Sequence, residues 1–398
     1  MRILQVHNRY REPGGEAQSI ANERRALEEA GHQVVLYQRD SREIDDLSVL
    51  GRLQVGLRAS SSSQACREIG AYIDDHRPDV AHIHNTVPLI TPAIYAVLRA
   101  RGVPVVQALR NYRFFCASGT FYRAGRNCFD CAEGSPLPAV LHGCYRGSRL
   151  QSTAMAAMLV RNRLTMRQDI DAYVAVSDFV KSRFVAAGYP EEKLFVKPNF
   201  EFDPGLSTAD STPAHVFCFG RLAEEKGVDT LLRAWRHIPT PLVIAGDGPL
   251  RAAVEAECRD PSMSHVRYVG LLSKAETGVY IRRAHFVVVP SRWHEPFGRT
   301  VIEAYAHATP VLASRTGALT ELVSADQTGQ LFVAGDPADL ASQARALLAS
   351  PSRLRDMGRI ARARFESDFS PEPNVRAMLD IYRHATDIRR ASGGATSD

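Results

Sequence analysis

No apolar run in the 398-residue chain approaches the roughly 20 residues needed to cross a bilayer. The opening MRILQVHNRY places one arginine before an apolar stretch too short for the core of a secretion signal. Charge of one sign is also scarce, at a formal +5 for the whole chain. That balance suits an anionic ligand or contact with an acidic membrane surface, and argues against nucleic acid as a partner. The seven cysteines are too few, and odd in number, for a secreted disulfide scaffold, so a cytoplasmic protein is expected. Two ligand motifs are missing. The loop after the first strand-like run, NRYREPGGEAQ, lacks the G-x-G-x-x-G of nicotinamide enzymes. No D-x-D stands at a strand end either, since Asp74–Asp75 falls in a polar turn.

What is present is ordinary globular composition, 45% hydrophobic and 23% charged, in a chain too long for one core. Short β-branched runs alternate with helix-length amphipathic segments. RILQVHN precedes EAQSIANERRALEEAG, whose Ile20, Ala26, Leu27 and Ala30 suit one helical face; Gly31 stops it, and HQVVLYQ follows. DVAHIHN, VPVVQAL and DAYVAVS continue this βαβ rhythm, the mark of a mostly parallel sheet. A second series comprises HVFCFGRL, PLVIAGDG, VRYVG, AHFVVVPS, TPVLAS and GQLFVA. The predicted organisation is an α/β chain of two facing Rossmann-like domains, 1–197 and 214–370. An aperiodic linker spans 198–213, a terminal helix 371–390 and a disordered tail 391–398. Ligand is expected at strand carboxyl ends.

The segment PSRWHEPFGRTVIEA holds two glutamates around a Pro-Phe-Gly turn. Glu303 has a plain reading: T-x-x-E from Thr300 matches a capping box. It also has a functional one. Arg221 and Lys226 of FGRLAEEKG, the glycines Gly246 and Gly248 of AGDG, and Gly298 before a helix together suit a diphosphate. A carboxylate accepts paired hydrogen bonds from a diol, so Glu303 suits a ribose and Glu295 a sugar.

EPFGRTVIE resembles the E-x7-E motif of retaining glycosyltransferases of family 4, which have the GT-B fold. The resemblance extends over GGEAQSIANERRALEEAGHQV, DVAHIHN, DAYVAVSDFVKSRFVAAGYPEEKLFVKPNF, GRLAEEKGVDTLLRAW, AGDGPL and GALTELVSADQTGQLF. It implies a nucleoside-diphosphate-sugar donor and a glycan or lipid-linked acceptor. Arg221 and Lys226 would hold the diphosphate, Glu303 the ribose and Glu295 the sugar. The backbone at Phe297 and Gly298 would meet the phosphate, with Gly14 and Gly15 in a flexible loop near its far end. The terminal helix would cross back onto the first domain. Transfer would proceed with retention and without a metal, cations and a helix N-terminus neutralising the leaving group. The same fold also hosts nucleotide-sugar epimerases.

The chain departs from the family at Arg110, in VVQALRNYRFF, where a histidine is usual. Arginine stays protonated and cannot act as a base; it either orients hydroxyls and phosphate or is a surface residue after a strand. His82 and His84 of HIHN are expected on opposite faces of their strand. Cys116, Cys128, Cys131 and Cys144 crowd an insertion, 116–144, around the knuckle CFDC. They read as a structural zinc site, as small buried hydrophobes, or as redox-sensitive thiols. The next segment, YRGSRLQSTAMAAMLVRNRLTMR, has arginines flanking an apolar middle, which fits either a helix packed on the first domain or a peripheral membrane contact.

Overall fold

The computed structural model describes residues 1–10, 14–46, 61–132, 134–206 and 212–394. All eleven strand-like runs form strands. In chain order the first six strands are β1 (Arg2–Arg9), β2 (Gln33–Asp40), β3 (Val80–Asn85), β4 (Val105–Leu109) and the short pair β5 (Tyr122–Arg123) and β6 (Arg126–Asn127). Then come β7 (Ala172–Ala175), β8 (Leu194–Val196), β9 (His215–Phe219), β10 (Leu242–Ala245), β11 (Val266–Tyr268), β12 (Ala284–Val289), β13 (Val311–Ser314) and β14 (Gly329–Phe332).

Contacts divide the chain into two compact units. The first holds 1–121, 128–198 and the chain from Glu372; the second holds 122–127 and 199–371. Each has a six-stranded sheet among the described residues, ordered β2-β1-β3-β4-β7-β8 and β11-β10-β9-β12-β13-β14. Every neighbouring pair in both is parallel. Strands such as AHFVVV read as nearly unbroken apolar runs because a parallel sheet is covered on both faces. The second core gathers around Trp235, with Val216, Ile244, Val288 and Phe332. The first packs Ile3, Val80, Val106 and Val174 against Met378, Ile381, Tyr382 and Ala385 of the terminal helix. Those four positions recur at helical spacing, which is why the helix lays one face on the sheet.

Four expectations change. The terminal helix runs Pro371–Gly394, so 391–394 are helical where a disordered tail was expected; 395–398 lie outside the described residues. The start of the expected linker is packed, with Phe200 and Glu201 each 2% exposed, while 207–211 lie outside the description. Ala30 is an exposed C-cap residue rather than part of the buried helical face. Within the insertion, the β5–β6 hairpin groups with the second unit. Its turn places Ala124 and Gly125 both at positive φ, a conformation usually announced by Asn-Gly or Asp-Gly, so YRAGRN carries little signal.

Candidate active site

The order of the second sheet reverses between β9 and β12. At such a switch point the loops after two adjacent strands part, leaving a crevice outside their carboxyl ends. The loop after β9 carries Lys226, and the loop after β12 carries Glu295. Lys226 Nζ donates to Glu295 Oε1 at 2.6 Å, and the Ser291 hydroxyl donates to the same oxygen at 2.6 Å. Glu295 is 6% exposed. Burial pushes its carboxyl up, but the Lys226 ammonium and the Ser291 hydroxyl outweigh that, and its pKa falls below the usual value. Lys226 also sits 5.1 Å from the centre of the Trp293 ring.

Arg221 is half-exposed at the same crevice and ion-paired with Glu225, whose backbone carbonyl accepts from Arg292 N–H at 2.8 Å. The two loops are therefore tied together by backbone as well as by side chains. Asn127 of the hairpin brackets the second loop, donating to Arg292 O at 3.2 Å and accepting from His294 N–H at 3.1 Å.

Gly246 has a packing reason as well as a functional one. Its φ is +132°, and a Cβ there would lie 1.8 Å from Gly220 O, because the loops after β9 and β10 run backbone to backbone. Gly298, at φ +128°, is the N-cap of the helix Arg299–Ala306, and a Cβ would approach Leu319 Cδ2 to 2.8 Å. The Phe297 ring is buried and meets Phe369 edge-on, so only its backbone is available to a ligand.

Because Gly298 is the N-cap, Thr300 is already inside the helix and Glu303 lies beyond the capping position. No side chain caps this helix, so the capping-box reading of Glu303 is wrong. The Glu303 carboxyl has one long contact, 3.4 Å from Arg299 Nη2. Burial raises its pKa against the opposing pull of Arg299 and Lys274. Arg299 is held more firmly by Glu201, which is 2% exposed and also accepts from Lys274 Nζ at 2.5 Å. Glu201, Lys274, Ser291 and Asn127 were not legible as site residues, since Glu201 lay in a segment resembling a linker and the others are lone polar residues in loops.

In the first unit, Gly14 is the N-cap of the helix Gly15–Glu29, and among the described residues no side chain or other segment comes within 4 Å of where a Cβ would stand. Residues 11–13 of that loop lie outside the description. Glu16, one residue past Gly15, was missed: burial pushes its carboxyl up to about 7, against the pull of Arg110 and Arg113.

Arg110 follows β4 directly, as expected, but it is not a surface residue. Its side chain is 6% exposed, and Nη2 donates to Glu23 Oε1 at 2.7 Å. Lys197 Nζ donates to that same oxygen at 2.7 Å and to Asn374 Oδ1 at 2.6 Å. Burial raises the Glu23 carboxyl, yet the two cations bring it well below the usual range. The sequence signal was Glu23 itself, a charge between Ile20 and Leu27 on the core-facing stripe of an amphipathic helix.

His82 and His84 share one face, their rings 4.2 Å apart, which corrects the expectation of opposite faces. Side chains two apart on a strand project the same way. His82 Nδ1 meets the Tyr382 hydroxyl at 2.9 Å, and burial lowers the His82 pKa to about 3. Ligand atoms of Glu23, His82 and His84 lie within 4.8 Å of one another. A cation there would compete with Arg110 and Lys197, which already neutralise the one carboxylate, so this is a poor metal site.

Two family models match consecutive parts of the chain: the glycosyl transferase 4-like domain over 14–199 and the glycosyl transferases group 1 over 199–364. Among curated proteins, the glycogen synthase of Mycobacterium tuberculosis is 35% identical over 176 residues, 43% of this chain and 42% of that protein. The chain thus spans less than half the length of the first curated relatives it matches. D-inositol 3-phosphate glycosyltransferase 1 of Catenulispora acidiphila is 28% identical over 77% of this chain and 72% of its own. Among solved structures, sucrose-phosphate synthase of Thermosynechococcus elongatus superposes with a TM-score of 0.73 at 20% identity, covering 96% of this chain and 98% of its own. Anabaena Alr3699/HepE in complex with UDP gives 0.67 at 16%, over 96% and 99%. The likeness to these structures shows the fold, two parallel-sheet Rossmann-like domains of the GT-B type. The two family models together cover well over half of the chain, and the chain belongs to the GT-B glycosyltransferases of family 4.

Proposed function

We propose that the chain is a retaining, metal-independent glycosyltransferase using a nucleoside-diphosphate sugar to build a polysaccharide, glycolipid or other glycoconjugate. The observation that carries this is the Lys226–Glu295 pair at the switch point of the second sheet, a cation for a diphosphate beside a carboxylate for sugar hydroxyls. Arg221 and Lys226 neutralise the departing diphosphate, with the helix N-terminus at Gly298 as a further donor of positive potential. Glu295 accepts from the sugar and Glu303 from the ribose. Gly14, the N-cap, and Gly15, the first residue of its helix rather than part of a loop, keep the phosphate-side role, and Gly246 that of close backbone approach.

In the reaction the bond between the anomeric carbon and the phosphate oxygen breaks, its electron pair staying on phosphate. The acceptor oxygen bonds to that carbon, and the acceptor proton passes to a phosphate oxygen, so no side-chain base is required. Arg110, turned onto Glu23, is assigned to the buried network rather than to contact with donor or acceptor.

The transferase and synthase names of the relatives favour transfer over the epimerase alternative. Incubation with a panel of nucleoside-diphosphate sugars and glycan or lipid-linked acceptors tests this. Transfer with retained anomeric configuration, unchanged by EDTA and not raised by added magnesium or manganese, is expected. Inverted product, or epimerised sugar from donor alone, would refute it.

The acceptor side motivates a peripheral membrane contact. No helix among the described residues is long and apolar enough to cross a membrane. Residues 134–168 contain five arginines and no aspartate or glutamate. Leu137, Leu141, Leu150, Val160 and Leu164 are all more than half exposed there. The apolar middle of the helix Arg149–Asn162 is buried, with Met155, Met158 and Leu159 packed into the first unit, so only the flanks remain for an anionic lipid surface.

A further inference from the structure

We propose that Cys116, Cys128, Cys131 and Cys144 bind one structural zinc ion in the first unit. The four cysteines come from neighbouring turns of the insertion, each fixed by backbone or ring contacts. Cys116 N–H donates to Tyr112 O at 2.8 Å, and the neighbouring Phe115 ring stacks on Phe121 at 5.2 Å. Phe121 O accepts from Cys128 N–H at 2.7 Å, and Phe121 also packs against Phe129 at 4.8 Å. On the other side, Ala132 N–H donates to Phe129 O at 2.8 Å in the turn that carries Cys131, and Ala139 O accepts from Cys144 N–H at 3.0 Å.

All four thiols are unbridged and only partly buried, so an ion can reach them. Cys116, Cys128 and Cys144 all lie close enough to Cys131 to act on its charge. Thiols gathered this way repel one another as thiolates, and a divalent cation removes that penalty by deprotonating its ligands outright. Coordination would release a proton from each thiol that ionises and leave a tetrahedral S4 site with Zn–S distances of about 2.3 Å. The Arg183 guanidinium over the Phe129 ring, 5.8 Å away, adds positive charge beside the knuckle. The sulfurs are gathered less tightly than the Glu23, His82 and His84 ligand atoms, so binding draws the loops in. Gly119 and Gly143, both at positive φ, sit in the turns that would adjust.

Two other readings of these residues, small buried hydrophobes and redox-sensitive thiols, predict different chemistry. Full-length protein expressed in zinc-supplemented medium and purified without chelator should carry about one zinc per chain by elemental analysis, as four thiolate ligands require. Cobalt substitution should give thiolate-to-metal charge-transfer absorption and the visible bands of tetrahedral cobalt. Cys131→Ser and Cys128→Ser should lose the metal, while Cys66→Ser and Cys258→Ser should keep it. Should the knuckle variants not fold, titration of the wild type with a mercurial should release the zinc in step with four thiols. Substoichiometric metal with four freely reactive thiols, an intact mass showing disulfides, or zinc retained in a Cys128→Ser/Cys131→Ser double variant would overturn the site.

Discussion

Replacing Glu303 with glutamine separates a ligand role from a structural one, because the structure removes the capping explanation. The Glu303 carboxyl lies past the first turn of its helix, and its one contact with Arg299 is 3.4 Å long. Arg299 keeps Glu201 in the variant, so no buried cation is stranded. Stability should therefore change by less than about 0.5 kcal/mol, as at sites outside the core. The pH dependence has a sign. A raised carboxyl pKa contributes stability below the unfolded value that is lost as pH rises through the folded one. The Glu303→Gln variant should escape that loss, gaining on the wild type as pH increases. Donor binding should behave oppositely. Losing a charge-assisted bond to a ribose diol costs about 1.5–3 kcal/mol, or roughly 10–150-fold in Kd at 1.4 kcal/mol per tenfold. Calorimetric titration of both proteins with a nucleoside diphosphate, alongside urea unfolding at several pH values, reads both quantities. Unchanged affinity with lowered stability would refute the ribose assignment.

Glu23→Gln should destabilise the first unit by about 3–5 kcal/mol, since it strands two buried cations. Arg110→Met should cost less, because a balanced Glu23–Lys197 pair remains, and denaturant unfolding compares the two. Turnover lost in Arg110→Met with stability intact would instead put Arg110 among the catalytic residues. Leu150→Asp with Leu164→Asp should abolish sedimentation with anionic vesicles while leaving neutral vesicles unbound as before; a change in oligomeric state instead would mark this face as a contact between copies.

Much of the proposed donor site was legible because its signals are local. Arg221, Lys226, Gly246, Glu295 and Gly298 each follow a strand-like run, and chain order alone placed them at carboxyl ends. The close approach at Gly246 and the N-cap at Gly298 then follow from backbone sterics, which a glycine in a strand-end turn announces. The support around them was not legible. Glu201 beneath Arg299 and Asn127 across the second loop are partners set by through-space distance, 98 and 167 residues away along the chain, while Ser291, four residues before Glu295, is a lone hydroxyl with no motif to mark it.

Periodicity in the chain determined the strands, the amphipathic helices and the parallel α/β class, because these depend on neighbours a few residues apart. It could not order the strands or pair the charges. Only the tertiary structure decided that β9 and β12 are adjacent, bringing Lys226 to Glu295, and that Arg110 turns inward to Glu23. The low-dielectric interior makes an unpaired charge so costly that such partners are chosen by the completed fold, not by the segments that carry them.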